Sequence, residues 1–382
     1  MKIMHMYIPD FPVLRIEHLA GKDRGRDVFQ EFYEKEGTYF YNCRGALWKA
    51  IKLLHIGKPD KILVPAYHCG VEIEAILRSG AEVEFYEIGE DMSADMESLE
   101  NGIKPGTKAV LVIHYYGFPQ PIKEIKELCL SRNLCLIEDC AHALFSSHNA
   151  HALGTYGDIS VFSQRKTLPI PDGGALLINN PEINTPINLK KPAAKAVLKN
   201  TLSGLLRPLR EKSPHPALYF SLEMMKRGLN GFFPDQDGRY RGGMAFHASM
   251  GDIAISRLSR KIMDSTDSAL VISRRRANFK YLLNGLRESE RVKICFPSLP
   301  EGTCPLFFPV RVSAGSRRKF QELLLGRGIR TFVFGEYLHE LLPQDLFSAA
   351  RSLSREVLCL PIHQDLTGRQ LDFMLETIKE FL

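Results

Sequence analysis

KILVPAYHCGVEIEAILRSGAEVEFYEI, residues 61–88, places a helical segment between two short apolar runs. Residues 61–67 and 81–88 have the apolar, turn-bounded pattern of strands, and residues 68–80 have the pattern of a helix. Strands that alternate with helices usually lie in one sheet as parallel neighbours, with the helices packed on its faces. This unit therefore predicts an α/β fold.

The same alternation extends on both sides of residues 61–88. A helix with apolar residues at helical spacing is predicted over residues 43–59. Further helices are predicted over residues 93–103 and 121–133, and further strands over residues 107–117 and 134–139. We thus expect a large domain in which helices sandwich a mostly parallel sheet.

The domain organisation is predicted from the point where the alternation of strands and helices ends. We expect the large α/β domain to span residues 1–250 and a smaller C-terminal α+β domain to span residues 251–382. Residues 182–240 form a basic, amphipathic insertion, for which a helix packed on its own domain is expected; contact with a membrane surface and a cover over a site are the alternatives. In the smaller domain, residues 251–286 are predicted to form one long helix or two joined helices. Strands are predicted over residues 305–312 and 330–334, and helices over residues 317–329 and 368–382.

Composition argues against several classes of protein. The 382 residues contain no apolar run long enough to span a bilayer, and the N-terminal sequence lacks the apolar core of a signal peptide, so we expect a soluble cytoplasmic protein with no membrane span. The eight cysteines show no CxxC pair and no zinc-like spacing, which predicts reduced thiols and no metal site. A net charge of +6 without an arginine-rich, aromatic-interleaved stripe does not favour a nucleic-acid partner.

A lysine in DISVFSQRKTLPIPDGGALLINN, residues 158–180, is the first candidate for chemistry. Ser163 and Lys166 have the Ser-x-x-Lys spacing of serine β-lactamases, but Pro169 and Pro171 are expected to forbid the helix that would bring the two together. No SDN or KTG partner occurs either, so we reject that hypothesis. A lysine held in a turn near a strand-end carboxylate can instead form a Schiff base with an aldehyde cofactor, pyridoxal phosphate.

That cofactor needs partners for its other groups. Asp139 ends an apolar strand and is suited to pair with a pyridinium nitrogen. The helix start at residues 42–45 offers N–H groups and a favourable dipole to a phosphate, Arg44 adds charge, and Ser163 offers a hydroxyl. His114, Asp139 and Ser163 all fall at strand ends, so we expect them to face one pocket at the carboxyl edge of the sheet.

With these residues in place, the chain resembles the DegT/StrS family of pyridoxal-phosphate-dependent sugar aminotransferases, which have the aspartate-aminotransferase type of fold, fold type I. The likeness spans nearly the whole chain, and its most specific block runs from IEDCAHAL, residues 137–144, through PDGGAL, residues 171–176. It is also carried by residues 61–88, by RGALWKAIKLL at 44–54, by AVLVIHYYGFPQPI at 109–122 and by REVLCLPIHQDL at 355–366.

The resemblance implies a role for each matched residue. Lys166 forms the imine with the cofactor, Asp139 pairs with the pyridine nitrogen, and His142 lies beside the phenolic oxygen. The phosphate is bound at the helix start and by a strand-end hydroxyl, through Cys43, Arg44, Gly45 and Ser163. Family members are homodimers with the active site at the subunit interface, and they transfer an amino group from an amino acid, expected to be glutamate, to a keto sugar, expected to be nucleotide-linked, in polysaccharide biosynthesis.

Three departures from the family pattern affect these expectations. Cys43-Arg44 stands where many members have Gly-Thr, so Arg44 is expected to replace the lost hydroxyl. Cys69 stands where an aromatic ring commonly stacks on the cofactor, so Tyr67, His68 or a smaller contact at Cys69 must serve. The Asn-x-Arg element contributed by the neighbouring subunit aligns poorly here.

The candidate substrate contacts are His114, Tyr67 and His247.

Two other functions stay open. The chain could be an aminotransferase for a non-sugar ketone, or an inactive relative that keeps the fold for binding or regulation. A sugar dehydratase of the same family is disfavoured, because it carries histidine where this chain has Lys166. For His114, a structural role in its turn is as well supported as a role in the site.

Overall fold

A computed structural model describes residues 6–20, 37–212 and 246–382 of the chain. Its first nine strands are β1 Gly37–Phe40, β2 Lys61–Pro65, β3 Glu82–Tyr86, β4 Thr107–Ile113, β5 Cys135–Asp139, β6 Ser147–His148, β7 His151–Ala152, β8 Ile159–Phe162 and β9 Gly174–Ile178. Strands β6 and β7 pair with each other, and the others form a seven-stranded sheet in the order β1-β9-β8-β5-β4-β2-β3. The predicted α/β fold is confirmed.

Five neighbouring strands of this sheet run parallel. Strands β3, β2, β4, β5 and β8 pair in parallel, whereas β9 is antiparallel to both β8 and β1. Six of the seven residues of β4 are buried, as expected of a central strand covered on both faces. The carboxyl ends of β4, β5 and β8 therefore meet at one edge of the sheet.

Five of the seven helices described in this part of the chain lie where the sequence predicts them. The seven are α1 Ile16–Ala20, α2 Cys43–Leu53, α3 Val71–Ser79, α4 Met96–Gly102, α5 Ile122–Ser131, α6 Gln164–Thr167 and α7 Ala194–Lys212. Of these, α1 and α6 were not predicted. Helix α2 begins at an N-cap, Asn42, whose side-chain oxygen accepts the N–H of Gly45.

Helix α7 forms most of the described part of the basic insertion, residues 182–212. It packs on the N-terminal segment: Arg207 forms ion pairs with Asp10 and Glu211, and Tyr7 donates to Glu211 at 2.8 Å. The predicted helix therefore forms and contacts its own chain, while residues 213–240 lie outside the described residues. None of the described helices is both long and apolar enough to span a bilayer.

The C-terminal part contains a three-stranded antiparallel sheet in the order β10-β11-β12. Its elements are α8 Arg257–Asp264, α9 Ser268–Gly285, β10 Val292–Ile294, β11 Phe307–Val312, α10 Arg317–Gly326, α11 Ser348–Glu356, β12 Val357–Pro361 and α12 Gly368–Lys379. The segment 251–286 thus holds two helices. The prediction of a strand over residues 330–334 is wrong. In this segment Phe332 alone pairs with another strand, through an isolated bridge to Cys359.

The domain boundary at residues 250 and 251 stays a prediction. Just beyond it, Tyr41 donates its N–H to Ile253 and Ile255 donates to Tyr39, so this segment pairs with β1 of the large sheet. One continuous hydrophobic core also joins the large sheet to the C-terminal part.

Candidate active site

A cavity of about 170 Å³ opens at the carboxyl edge of the large sheet. It lies between the ends of β4, β5 and β8, the start of α2 and a segment that follows α10. Seven residues singled out from the sequence line it: Cys43, Arg44, Cys69, Asp139, His142, Ser163 and Lys166. The structure thus brings together most of the predicted cofactor set.

Lys166 lies on α6, a single helical turn that follows β8. Its N–H donates to the carbonyl of Ser163 at 3.2 Å, and Leu168 donates to Gln164 at 2.8 Å. The expectation that the prolines forbid a helix here is therefore wrong for this turn. Pro169 restricts the residue before it, so the helix ends at Thr167, but it leaves one turn intact.

Asp139 ends β5 and points its carboxylate into the cavity wall, where it is 8% exposed. One of its oxygens accepts the N–H of Ala141 at 2.8 Å. Burial raises the pKa of Asp139 from 3.8 to about 6; the nearby carboxylate of Glu72 raises it further, whereas the charge of Lys166 acts in the opposite direction. A cationic ligand at this carboxylate would relieve both unfavourable effects.

His142 supplies a hydrogen-bond donor that has no acceptor. Its Nδ1 accepts the N–H of Tyr116 at 3.4 Å, so its Nε2 carries the proton. Nε2 is buried and makes no hydrogen bond among the described residues. Burial, with a smaller effect from the charge of Lys166, lowers the pKa of His142 well below its usual value, which keeps the ring neutral.

The start of α2 forms one end of the cavity. The first amides of a helix point beyond its N-terminus and favour anions. The N–H of Gly45 is used by the Asn42 side chain at 2.9 Å, which leaves the helix start to Cys43 and Arg44. Arg44 and Arg165 line the cavity as well, so two guanidinium groups flank the place where an anion would bind.

Five predicted site residues are not among those that line the cavity: Gly45, Tyr67, His68, His114 and His247. The Tyr67 hydroxyl lies 2.9 Å from that of Tyr116 and donates to Phe334 at 3.1 Å. His68 is fully buried; its Nε2 accepts the N–H of His339 at 2.9 Å, and it stacks on Phe85. The N–H of Gly45 donates to the side-chain oxygen of the N-cap residue, Asn42. The predicted contact of Tyr67 and His68 with a cofactor ring stays a prediction.

His114 belongs to a different cluster. Its Nδ1 accepts the N–H of Gln120 at 3.1 Å, so its Nε2 donates to Glu138 at 3.0 Å. Glu138 also accepts backbone N–H groups from Gly154, Tyr156 and Gly157. The ligand atoms of His114, Glu138 and Cys140 lie within 4.8 Å of one another, but the hydrogen bonds already use both histidine nitrogens. His114 is therefore hydrogen-bonded within a buried network and is not among the residues that line the cavity.

His247 is exposed and lies outside the cavity lining of this chain. It precedes the short helical turn Ala248–Met250, whose last residue is buried. Its predicted substrate contact stays a prediction.

The lining residues that were not singled out from the sequence include Glu72, Arg165 and Phe334. Glu72 is 3% exposed and accepts both the N–H and the thiol of Cys69, at 3.0 and 2.9 Å. Phe334 packs edge-on against His142, with ring centroids 4.8 Å apart. Arg165 directly precedes Lys166, so its position in the sequence could have suggested a place in the site. Phe334 lies far from Lys166 in sequence, in a segment that was predicted as a strand and given no role in the site.

The residues around the cavity fit pyridoxal phosphate. An amine, a buried carboxylate and an unpaired neutral N–H donor are present together, on Lys166, Asp139 and His142. A helix N-terminus with arginine nearby suits the phosphate. The unpaired Nε2 of His142 is the most informative of these features, because a buried donor without a partner is costly unless a ligand satisfies it.

The fold and the cavity together define an α/β protein of the aminotransferase class. The chain belongs to the DegT/DnrJ/EryC1/StrS aminotransferase family, whose sequence profile matches residues 27–379. The predicted family resemblance is thereby confirmed.

Individual relatives cover a smaller part of the chain. GDP-perosamine synthase from Vibrio cholerae is 35% identical over 162 residues, which are 41% of this chain and 44% of that protein. The dTDP-4-dehydro-2,3,6-trideoxy-D-glucose 4-aminotransferase of Saccharopolyspora spinosa is 33% identical over 162 residues, which are 42% of this chain and 40% of that protein. The matches thus span less than half the length of these curated relatives.

Solved structures extend the likeness of the fold to nearly the whole chain. The aminotransferase TlmJ from Streptoalloteichus hindustanus superposes with a TM-score of 0.70 over 98% of both chains, at 22% identity. At this identity the superposition establishes the shared fold.

Proposed function

We propose that this protein is a pyridoxal-phosphate-dependent aminotransferase that moves an amino group from an amino acid, glutamate in the first instance, to a nucleotide-linked keto sugar. The observation that carries the proposal is the convergence of Lys166, Asp139 and the unpaired Nε2 of His142 on one cavity. Family membership and the names of both relatives support the reaction class.

Each of the three groups has a distinct task. Bound pyridoxal phosphate supplies an aldehyde that exchanges amine partners and a ring that withdraws electrons from the carbon carrying the amine. The Lys166 amine would hold the cofactor and, when the amino-acid donor displaces it, would act as the base and acid that moves the proton of the amine-bearing substrate carbon. Asp139 keeps the ring nitrogen protonated by pairing with it, and His142 donates to the phenolic oxygen.

The choice of acceptor is supported by charge and by the relatives. Arg44 and Arg165 bring two guanidinium groups to the cavity, which suits an anionic cofactor and an acceptor that carries a diphosphate. The names of both relatives refer to a sugar linked to a nucleoside diphosphate, GDP or dTDP. A homodimer with residues from both chains around the acceptor is part of the proposal, as is a cytoplasmic location.

The first test is trapping of the cofactor. Purified protein is mixed with pyridoxal phosphate, its visible absorbance is recorded, and borohydride reduction is followed by peptide mapping. We expect a fixed adduct on Lys166 and none in Lys166→Ala, and we expect glutamate to convert the cofactor to its amine form. An adduct on another lysine, or no adduct, would mean that the fold serves another purpose.

The acceptor is tested separately on the amine-loaded protein. GDP- and dTDP-linked 4-keto sugars are compared with the same sugars without nucleotide and with a cyclic non-sugar ketone. Return of the aldehyde form only with the nucleotide-linked compounds supports the proposal. Return with the non-sugar ketone alone would replace it by the alternative acceptor class.

A further inference from the structure

A buried arginine contacts the turn that carries Lys166. Arg275 lies on α9 and is 1% exposed. Its Nη2 donates to the carbonyl of Thr167 at 3.2 Å, its Nη1 to Leu306 at 3.0 Å, and its Nε to the side chain of Gln364 at 2.9 Å. Thr167 follows Lys166 directly, so this guanidinium is bonded to the backbone of the lysine turn.

Gln364 completes the arrangement. It follows β12, and its Nε2 donates to the same Thr167 carbonyl at 3.0 Å. Its Oε1 accepts from Arg275. Thr167, Arg275 and Gln364 thus form a closed set of three hydrogen bonds, in which one carbonyl receives two donors.

The contacts of Arg275 are not those of an ion pair. No carboxylate of the described residues lies within ion-pair distance of its guanidinium, and its partners are backbone carbonyls and one amide. Burial of a guanidinium is costly unless its donors are satisfied. The donors of Arg275 are satisfied by three segments that meet around its guanidinium: the lysine turn, the residues before β11 and the residues after β12.

The opposite side of the turn is already fixed locally. Lys166 donates to Ser163, and Leu168 donates to Gln164. These bonds define the shape of the turn, while the bonds to Thr167 define where the turn lies relative to the rest of the protein. Among the described residues Asp139 makes no hydrogen bond to this turn; β5 is linked to it through β8, where Val161 lies opposite Asp139, so the spacing between Lys166 and Asp139 depends on how the turn beyond β8 is anchored.

We propose that Arg275 and Gln364 are positioning residues that hold Lys166 in place over the cavity by anchoring the carbonyl of Thr167. The inference rests on the proposed function for its catalytic consequence. Misplacement of a reacting group by about 1 Å can lower a rate by about 100-fold, so loss of the anchor lowers kcat by about 10- to 100-fold while the KM for the donor changes little.

The test uses two variants and a matched control. Gln364→Glu keeps the oxygen that accepts from Arg275 and removes the N–H that donates to Thr167. Arg275→Met removes the guanidinium. The control is Arg276→Met, because Arg276 lies on the same helix and also donates to two carbonyls, of Pro300 and Thr303, without touching the lysine turn.

Hydrogen exchange is measured first, on the cofactor-free protein. We expect the amides of Lys166 and Leu168 to exchange faster in both variants by on the order of tenfold, which corresponds to about 1.4 kcal/mol of local opening, and to be unchanged in the control. Equal exchange in wild type and both variants would overturn the inference. A rise spread evenly over β4 and β5 would overturn it too, because the contacts would then serve overall stability.

Borohydride trapping and steady-state kinetics follow on the cofactor-loaded proteins. We expect slower trapping at Lys166 and the stated fall in kcat in both variants, with wild-type behaviour in Arg276→Met. Unchanged trapping and kcat alongside faster exchange would show that the anchor does not position the amine. Failure of wild type to trap the cofactor would instead refute the proposed function, whereas the exchange result would still decide whether the anchor exists.

Discussion

Replacement of Asp139 by asparagine is expected to stabilise the cofactor-free protein near neutral pH while it removes the partner of the cofactor nitrogen. The carboxylate is 8% exposed, and burial, followed by the charge of Glu72, raises its pKa to about 6. Asparagine has the same shape, and its side-chain oxygen can still accept the N–H of Ala141. The substitution therefore removes the charge and keeps the hydrogen bond.

The size of the effect follows from the pKa of Asp139. The folded-state pKa of about 6 lies above the usual value of 3.8, so the folded protein favours the protonated acid. The associated stability is fully present below about pH 3.8 and is lost as the pH rises through about 6. Since each pKa unit corresponds to about 1.4 kcal/mol, ionised Asp139 costs about 3 kcal/mol above pH 6.

Urea denaturation of the cofactor-free proteins measures this difference. Asp139→Asn should exceed wild type by about 3 kcal/mol near pH ~8, and the advantage should fall to about half of that near pH ~5. Saturating pyridoxal phosphate should stabilise wild type more than the variant. Equal stability of the two cofactor-free proteins at pH ~8, or an advantage that does not shrink in acid, would refute the account of Asp139 as an uncompensated buried charge.

Three further changes have expected outcomes. Gly174→Ala should weaken pyridoxal phosphate binding by at least about tenfold in an absorbance titration, because its Cβ would lie 2.4 Å from the backbone at the start of α2; Gly326→Ala, with open space around it, should bind normally. Glu138→Gln should lower the free energy of unfolding by about 2–3 kcal/mol at neutral pH, since the amide cannot accept all of the bonds that Glu138 accepts. Burial opposes ionisation of Glu138, but its bonds from His114, Gly157 and Gly154 hold its pKa below the usual value, so the loss should shrink as the pH falls. Arg207→Met should lower the free energy of unfolding in urea by about 1–2 kcal/mol, because Asp10 loses its half-buried ion-pair partner.

The central strands of the large sheet were predictable because they are buried on both faces. Such strands are continuous apolar runs bounded by turns, and β4, with six buried residues of seven, is an example. The C-terminal part was less predictable. The three-residue strand β10 and the buried strand β12 were not predicted, and residues 330–334 have a strand-like composition but form only a bridge at Phe332. Whether such a run pairs along its length depends on neighbours that composition does not identify.

Strand ends located the site but not the orientation of its side chains. Successive side chains on a strand point to opposite faces, so Glu138 and Asp139 at the end of β5 enter two different environments. Asp139 lines the cavity, while Glu138 binds His114 on the other side. A one-residue difference in sequence therefore separated the cofactor site from a structural network, which explains why His114 did not join the predicted pocket.

The hydrogen bonds to the lysine turn from outside its own segment come from distant parts of the chain. The prolines end α6, but the bonds that fix the turn in space come from Arg275, 108 residues beyond Thr167, and from Gln364, 197 residues beyond it. A motif can identify the group that reacts, because that group must be present in the motif. The groups that hold it need only be close in space, and here they belong to the C-terminal part of the chain. Substitutions in that part could therefore alter the reactivity of Lys166 without contact with the cavity.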